Sequence, residues 1–199
     1  MFESSSNGQD LRGGRPGARD RLLNVADRLF YAEGIRAVGV DRIVQESGTA
    51  KATLYAHFPS KGDLVTAYLR RRCDLWCAYL LAELPDRAEG PKGRILAVFD
   101  LLGESFESAD YRGCPFINAG AELADQDHPA KSVTAEYRGR IRRLFLDLAV
   151  EASIEDSEGF AEALAMLYDG AMVSAQLDGN ARAAARARAT AEHLLSGVS

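Results

Sequence analysis

Apolar residues recur at three- and four-residue intervals along most of the 199-residue chain and nowhere alternate over a strand's length. The first stripe is Leu22, Val25, Ala26, Leu29 and Phe30, with Arg21, Asp27 and Arg28 between, and Gly34 follows where a helix C-cap belongs. It predicts a helix over 19–33. A short helix over 40–47 turns Ile43 and Val44 inward and ends at Gly48. Only Thr49 and Ala50 separate it from a third over 51–58, stopped by Pro59, because proline disfavours helical geometry in the residue before it. Ser60-Lys-Gly-Asp63 reads as a variant capping box, opening a long fourth helix that runs to about residue 84, before Pro85.

Similar stripes predict helices over 92–107, 116–124, 129–153, 158–177 and 181–195. Breakers separate them: Glu89-Gly-Pro91, Arg112-Gly-Cys-Pro115, His128-Pro129 and Asp178-Gly-Asn180. The expected fold class is therefore all-α, with about nine helices. Residues 1–17, with Arg12-Gly-Gly-Arg-Pro-Gly17, are expected to form a flexible basic arm. Residues 18–64 would be a three-helix unit, joined by the long fourth helix to a helical body over 65–199.

Two short helices joined by a tight turn, after a longer amphipathic one, make a helix-turn-helix, whose third helix lies in the DNA major groove. The residues there suit base edges and phosphates. Lys51 reaches a phosphate or a guanine edge, Thr53 is short enough for close contact, and Tyr55 and His57 carry polar tips on ring bodies. Leu54 and Phe58 fall on the opposite side, where a small domain needs its core. Lys61, at the start of the fourth helix, would join the backbone N–H groups there as an anion site for phosphate.

Charge supports that polarity. The net charge is −5, yet residues 10–62 hold nine Lys/Arg against six Asp/Glu, leaving an acidic remainder. Nothing in the sequence has the length and apolarity of a spanning helix, and the first residues lack the apolar run of a secretory signal, so the expected address is cytoplasmic.

The stretch Gly34-Ile-Arg-Ala-Val-Gly-Val-Asp-Arg-Ile-Val-Gln-Glu-Ser-Gly48, then Thr49-Ala-Lys-Ala-Thr-Leu-Tyr-Ala-His-Phe-Pro-Ser-Lys-Gly-Asp-Leu64, resembles the signature of the tetracycline-repressor (TetR) family. Thr53-Leu-Tyr55, Phe58 and Lys61 are its most specific part, and the resemblance covers about residues 19–68. It implies a DNA-facing set of Arg42, Ala50, Lys51, Ala52, Thr53, Tyr55, His57 and Lys61, with Leu54 and Phe58 structural. Gly39 departs from the pattern, standing where Ser or Thr normally caps the second helix; Arg42 would compensate for the missing hydroxyl. Tyr111-Arg-Gly-Cys-Pro-Phe-Ile-Asn-Ala-Gly-Ala-Glu-Leu123, followed by Asp127-His-Pro-Ala130, resembles a TetR subgroup with a Gly-Cys-Pro-Phe segment.

The resemblance further implies a homodimeric repressor on a double-stranded DNA operator with an inverted repeat, released by a small hydrophobic or amphipathic effector. Candidate effector-lining residues are Trp76, Tyr79, Leu80, Phe99, Leu102, Phe106, Phe116 and Phe145, with Asn118 and Tyr168 as polar anchors. The last two helices are the expected dimer interface, through Leu164, Leu167, Ala171 and Ala175, with Arg182 and Arg186 at the rim.

Other functions fit less well. The chain has no Gly-x-Ser-x-Gly, no His-Glu-x-x-His and no phosphate loop, so an enzyme is not expected, nor is a cofactor or metal. Two alternatives stay open: a helical adaptor that has lost DNA binding, which Gly39 slightly favours, and a redox-sensing regulator using Cys73, Cys77 or Cys114. Activation rather than repression would use the same DNA contacts.

Overall fold

Leu22, Leu23, Ala26, Leu29 and Phe30 bury one face of helix α1 (Ala18–Glu33), as their spacing predicts. The computed structural model describes residues 16–123 and 128–198, so most of the expected arm, and Ala124 to Asp127, lie outside the described residues. Helix α2 (Val40–Ser47) sets Ile43 against α1 and ends at Gly48, whose φ of 62° and ψ of 37° are left-handed. The Gly48 N–H returns to the carbonyls of Val44 and Gln45, and the Thr49 N–H also reaches Val44 at 3.2 Å. This closes α2 tightly enough for α3 (Lys51–His57) to start three residues later. Gly39 leaves α2 without a side-chain cap.

Helix α4 (Lys61–Arg87) opens as its sequence requires: the Ser60 hydroxyl accepts from the Asp63 N–H at 3.1 Å. At 27 residues it is about 40 Å long. It does not stop before Pro85 but runs through it to Arg87. A proline in the last turn costs only the bond to the carbonyl four residues back, and Leu81 stands there on the solvent side.

The body adds α5 (Gly90–Phe106), α6 (Pro115–Glu122), α7 (Ala130–Glu151), α8 (Ser157–Asp178) and α9 (Arg182–Ser196). Pro91 and Pro115 fall in first turns, where a missing N–H is harmless. Helix α7 packs on α8 and α4, α5 on α9, and α8 on α9. One contiguous core runs from Leu22 to Leu195 through both parts of the chain. Among the described residues there is no strand, and no helix is long and apolar enough to cross a membrane.

Candidate nucleic-acid interface and adjoining cavity

Helix α3 is held from behind. Leu54 is wholly buried and Phe58 nearly so, which fixes the short helix on α1 and leaves its other side outward. On that side Ala50, Lys51, Ala52, Tyr55 and His57 are exposed, and Thr53 is half-buried. The Lys51 ammonium pairs with Asp41 of α2 at 2.7 Å, an exposed contact that a phosphate can replace at little cost.

Two further members of the DNA-facing set also have partners within the protein. Arg42 donates to both carboxylate oxygens of Glu33, at 2.5 and 2.8 Å, and to Glu46 at 2.8 Å. Its guanidinium therefore ties α2 to the end of α1 through ion pairs that are exposed, like that of Lys51. Lys61 is half-buried, and its Nζ donates to the Ile35 carbonyl at 2.6 Å. Burial lowers its pKa, an effect that Glu122 partly offsets. One of the three ammonium donors of Lys61 is thus used by the protein's own backbone, which holds the side chain at the start of α4.

Below this unit lies a cavity of about 180 Å³ between α4, α5, α6, α7 and α8. Of the residues expected to line it, Trp76, Leu102, Phe106, Phe116 and Tyr168 do so. Trp76 Nε1 donates to the Tyr168 hydroxyl at 2.6 Å, and the Tyr168 and Tyr137 hydroxyls pair at 3.1 Å. Burial raises the pKa of both phenols, which keeps them as neutral hydroxyls. Phe116 stacks flat on Tyr137, with centroids 3.9 Å apart and planes 11° from parallel.

The other five lie elsewhere. Leu80, Phe99 and Phe145 are fully buried behind the wall, Phe145 meeting Tyr168 edge-on at 6.2 Å. Tyr79 packs beside Trp76 outside the cavity, at 5.6 Å between centroids. Asn118 turns to a separate hollow of about 200 Å³ between α6 and the end of α1, where its amide donates to the Arg112 carbonyl at 2.9 Å. Helical spacing shows that such residues face inward but not which helix meets them.

Lining residues that the sequence reading missed include Asp27, Tyr31, Arg72, Leu75, Tyr111, Tyr137 and Met172. Arg72 had a signal, lying four residues before Trp76 on one face of α4. Asp27 and Tyr31 had none, because they belong to α1. The Tyr31 hydroxyl donates to the Gly113 carbonyl and accepts from the Arg112 N–H, each at 3.0 Å. Arg72 binds Asp27 with two parallel hydrogen bonds of 2.8 and 2.9 Å and lies over the Tyr31 ring, 3.9 Å from its centroid. A second strut joins the Arg36 N–H to the Glu122 carboxylate at 2.7 Å.

The expected dimer set also divides. Leu164, Ala171 and Ala175 are buried within the protomer, so they are core first. Leu167, Arg186 and the edge of Ala171 line a shallow groove between α8 and α9, and Arg182 is exposed. The small residues Ala184, Ala187 and Ala191 of α9 are buried in the same core. There α9 closes on α5 so tightly that a Cβ at Gly103 would lie 3.2 Å from that of Ala184. The outward apolar residues of α8 are instead Met166, Val173 and Leu177, the last 78% exposed.

All three cysteines are buried free thiols. Burial raises the pKa of each, Cys77 to about 12 and Cys114 to about 11; at Cys73, Arg140 Nη1 donating to Sγ at 3.4 Å offsets only part of the effect.

Comparison with known proteins agrees with this architecture. Residues 22–68 match the profile described as bacterial regulatory proteins, tetR family, and residues 91–191 match that of the tetracyclin repressor-like C-terminal domain. The crystal structure of SCO4454, a TetR-family transcriptional regulator from Streptomyces coelicolor, is 34% identical. It superposes with a TM-score of 0.79 over 91% of this chain and 95% of that one. Among curated proteins, an HTH-type transcriptional regulator in the lacX 3' region of Lactococcus lactis is 25% identical over 65% of this chain. The HTH-type transcriptional regulator LmrA of Bacillus subtilis is 26% identical over 60% of it. The matches span 63% and 64% of those two proteins. The relatives are regulators, not enzymes, and the chain belongs to the TetR family of helix-turn-helix transcriptional regulators.

Proposed function

We propose that this protein is a homodimeric repressor that holds a near-palindromic operator with α3 in the major groove and leaves it when a small hydrophobic or amphipathic effector fills the α4–α8 cavity. The observation that carries DNA binding is the two-sidedness of α3: Leu54 and Phe58 fixed in the core, Lys51, Ala52, Tyr55 and His57 outward. A dimer through the outer face of α8 and α9 would set two such helices about 34 Å apart, one turn of DNA. Met166, Val173 and Leu177 supply an apolar surface for it. The Gly113-Cys-Pro-Phe116 segment at the start of α6 supports membership of the subgroup that carries it, and the site of action is the cytoplasm.

Selection of bound fragments from genomic DNA, followed by gel shifts across salt concentrations, tests the proposal. A short inverted repeat bound by two chains, with affinity falling steeply as salt rises, is expected. Effector should then weaken the complex about 5- to 150-fold, the usual range of allosteric coupling. Equal binding to random DNA at every salt concentration would overturn the repressor reading.

A further inference from the structure

We infer that the cavity takes an uncharged, flat aromatic molecule carrying a hydroxyl, and that this hydroxyl is read by α1 of the DNA-binding unit itself, at Asp27. The inference rests on the effector reading above and adds the ligand's chemistry and its point of contact.

The cavity has two unlike ends. One is a cage of rings, Trp76, Phe106, Phe116, Tyr137 and Tyr168, in which the hydroxyls and the indole N–H already satisfy one another. Phe116 and Tyr137 stack flat on one another there, and aromatic surroundings of this kind suit a planar ring. At about 180 Å³ the space exceeds the roughly 150 Å³ cavity that takes benzene, so two fused rings match it.

The other end is polar and electrically balanced. Arg71 and Arg72 face Asp27 and Asp110, with Arg72 locked on Asp27 and Asp110 holding Ser108. A monovalent ligand of either sign would upset that balance in a half-buried setting, which a neutral one avoids. Asp27 receives two hydrogen bonds from Arg72, whereas a carboxylate offers about four acceptor positions. Tyr31 has its hydroxyl engaged on both sides. Acceptor capacity at this end lies on Asp27 and Asp110; Asp110 is exposed to solvent and takes the Ser108 hydroxyl, so the sheltered acceptor for a ligand's hydroxyl is Asp27. A ligand so placed spans the joint between α1 and the body directly, rather than acting on the body alone.

The test uses the full chain with three fused-ring probes: 2-naphthol, 2-naphthoate and 2-naphthylmethylammonium, plus 2-methylnaphthalene as the hydroxyl-free control. Trp76 is the chain's single tryptophan, so labelling with 5-fluorotryptophan gives one fluorine resonance inside the cavity. Calorimetry should show one 2-naphthol per chain, with a shift of that resonance. The control and both charged probes should bind roughly tenfold or more weakly, the loss of about one hydrogen bond or the burden of an unbalanced charge. Binding of either charged probe as tight as 2-naphthol, equal binding of the methyl control, or an unmoved Trp76 resonance overturns the inference. If 2-naphthol binds as expected yet leaves the operator complex intact, the release reading fails while the cavity assignment is supported.

Discussion

Lys61 Nζ donates to the carbonyl of Ile35 across 2.6 Å, tying the first turn of α4 to the segment between α1 and α2. The contact makes Lys61 a strut of the three-helix unit. Lys61→Met should lower unfolding stability by about 1 kcal/mol in urea titration. Any loss of operator affinity should leave its salt dependence unchanged. A slope reduced by about one, with stability intact, would return Lys61 to the phosphate contacts.

Lys51 should behave in the opposite way. Its partner Asp41 is exposed, so Lys51→Ala should change stability by less than about 0.5 kcal/mol. Operator affinity should fall, and the slope of log affinity against log salt should shrink by about one. The two variants, measured side by side, separate a structural lysine from a DNA-facing one.

Leu54→Ala removes the buried anchor of α3 and should cost about 2–5 kcal/mol, the range for large-to-small changes in cores. DNA binding should go with it, because the seven-residue helix is too short to persist without its packing. Retained operator binding at wild-type stability would contradict the role given to the anchor.

These contrasts also mark what the sequence could disclose. Leu54 and Phe58 are four apart on one side of a short helix, and the periodicity alone separates them from Lys51 and Tyr55. Helix starts were legible where a cap or proline marks them, as at Ser60 and Pro115. Pro85 misled, because a proline within a last turn is tolerated. In the body, spacing identified Phe99 and Phe145 as inward but could not say that they back the cavity wall instead of facing the space. Asp27 and Tyr31 were beyond reach, since a contact between residues 31 and 113 is a property of the packed chain. The close approach of α9 to α5 at Gly103 and Ala184 likewise shows only in the packed chain.

The cysteines should be poor nucleophiles in the folded protein. With Cys77 raised to about 12 and Cys114 to about 11, iodoacetamide labelling at neutral pH should run roughly a hundredfold slower than in denaturant. The folded-state rate at Cys114 should rise about tenfold per pH unit and level off only near pH 11, where its thiol is half ionised. Rapid labelling of Cys73 or Cys77 at pH 7 would revive a redox-sensing role.

Met166 and Leu177 stand outward on α8, 66% and 78% exposed. A double change to Glu at both should leave the fold intact and shift the chain to monomers by light scattering. Operator affinity should then drop by several orders of magnitude, since two half-sites no longer bind as one unit. An unaltered dimer would move the interface to another face.

The pair of hydrogen bonds that Tyr31 makes to the 112–113 backbone bears on how this protein can be re-engineered. Joining its first three helices to the body of another regulator looks simple on paper, as though reader and receiver were separable parts. Here the cavity of the body is walled in part by Asp27 and Tyr31 of the first helix. A hybrid cut before α4 would carry Tyr31 and Asp27 away from Arg72 and Gly113, severing the joint and reshaping the cavity together. Exchange of specificities would therefore need the junction transplanted as a single block, with Asp27, Tyr31, Arg72 and the segment before α6 kept in one lineage.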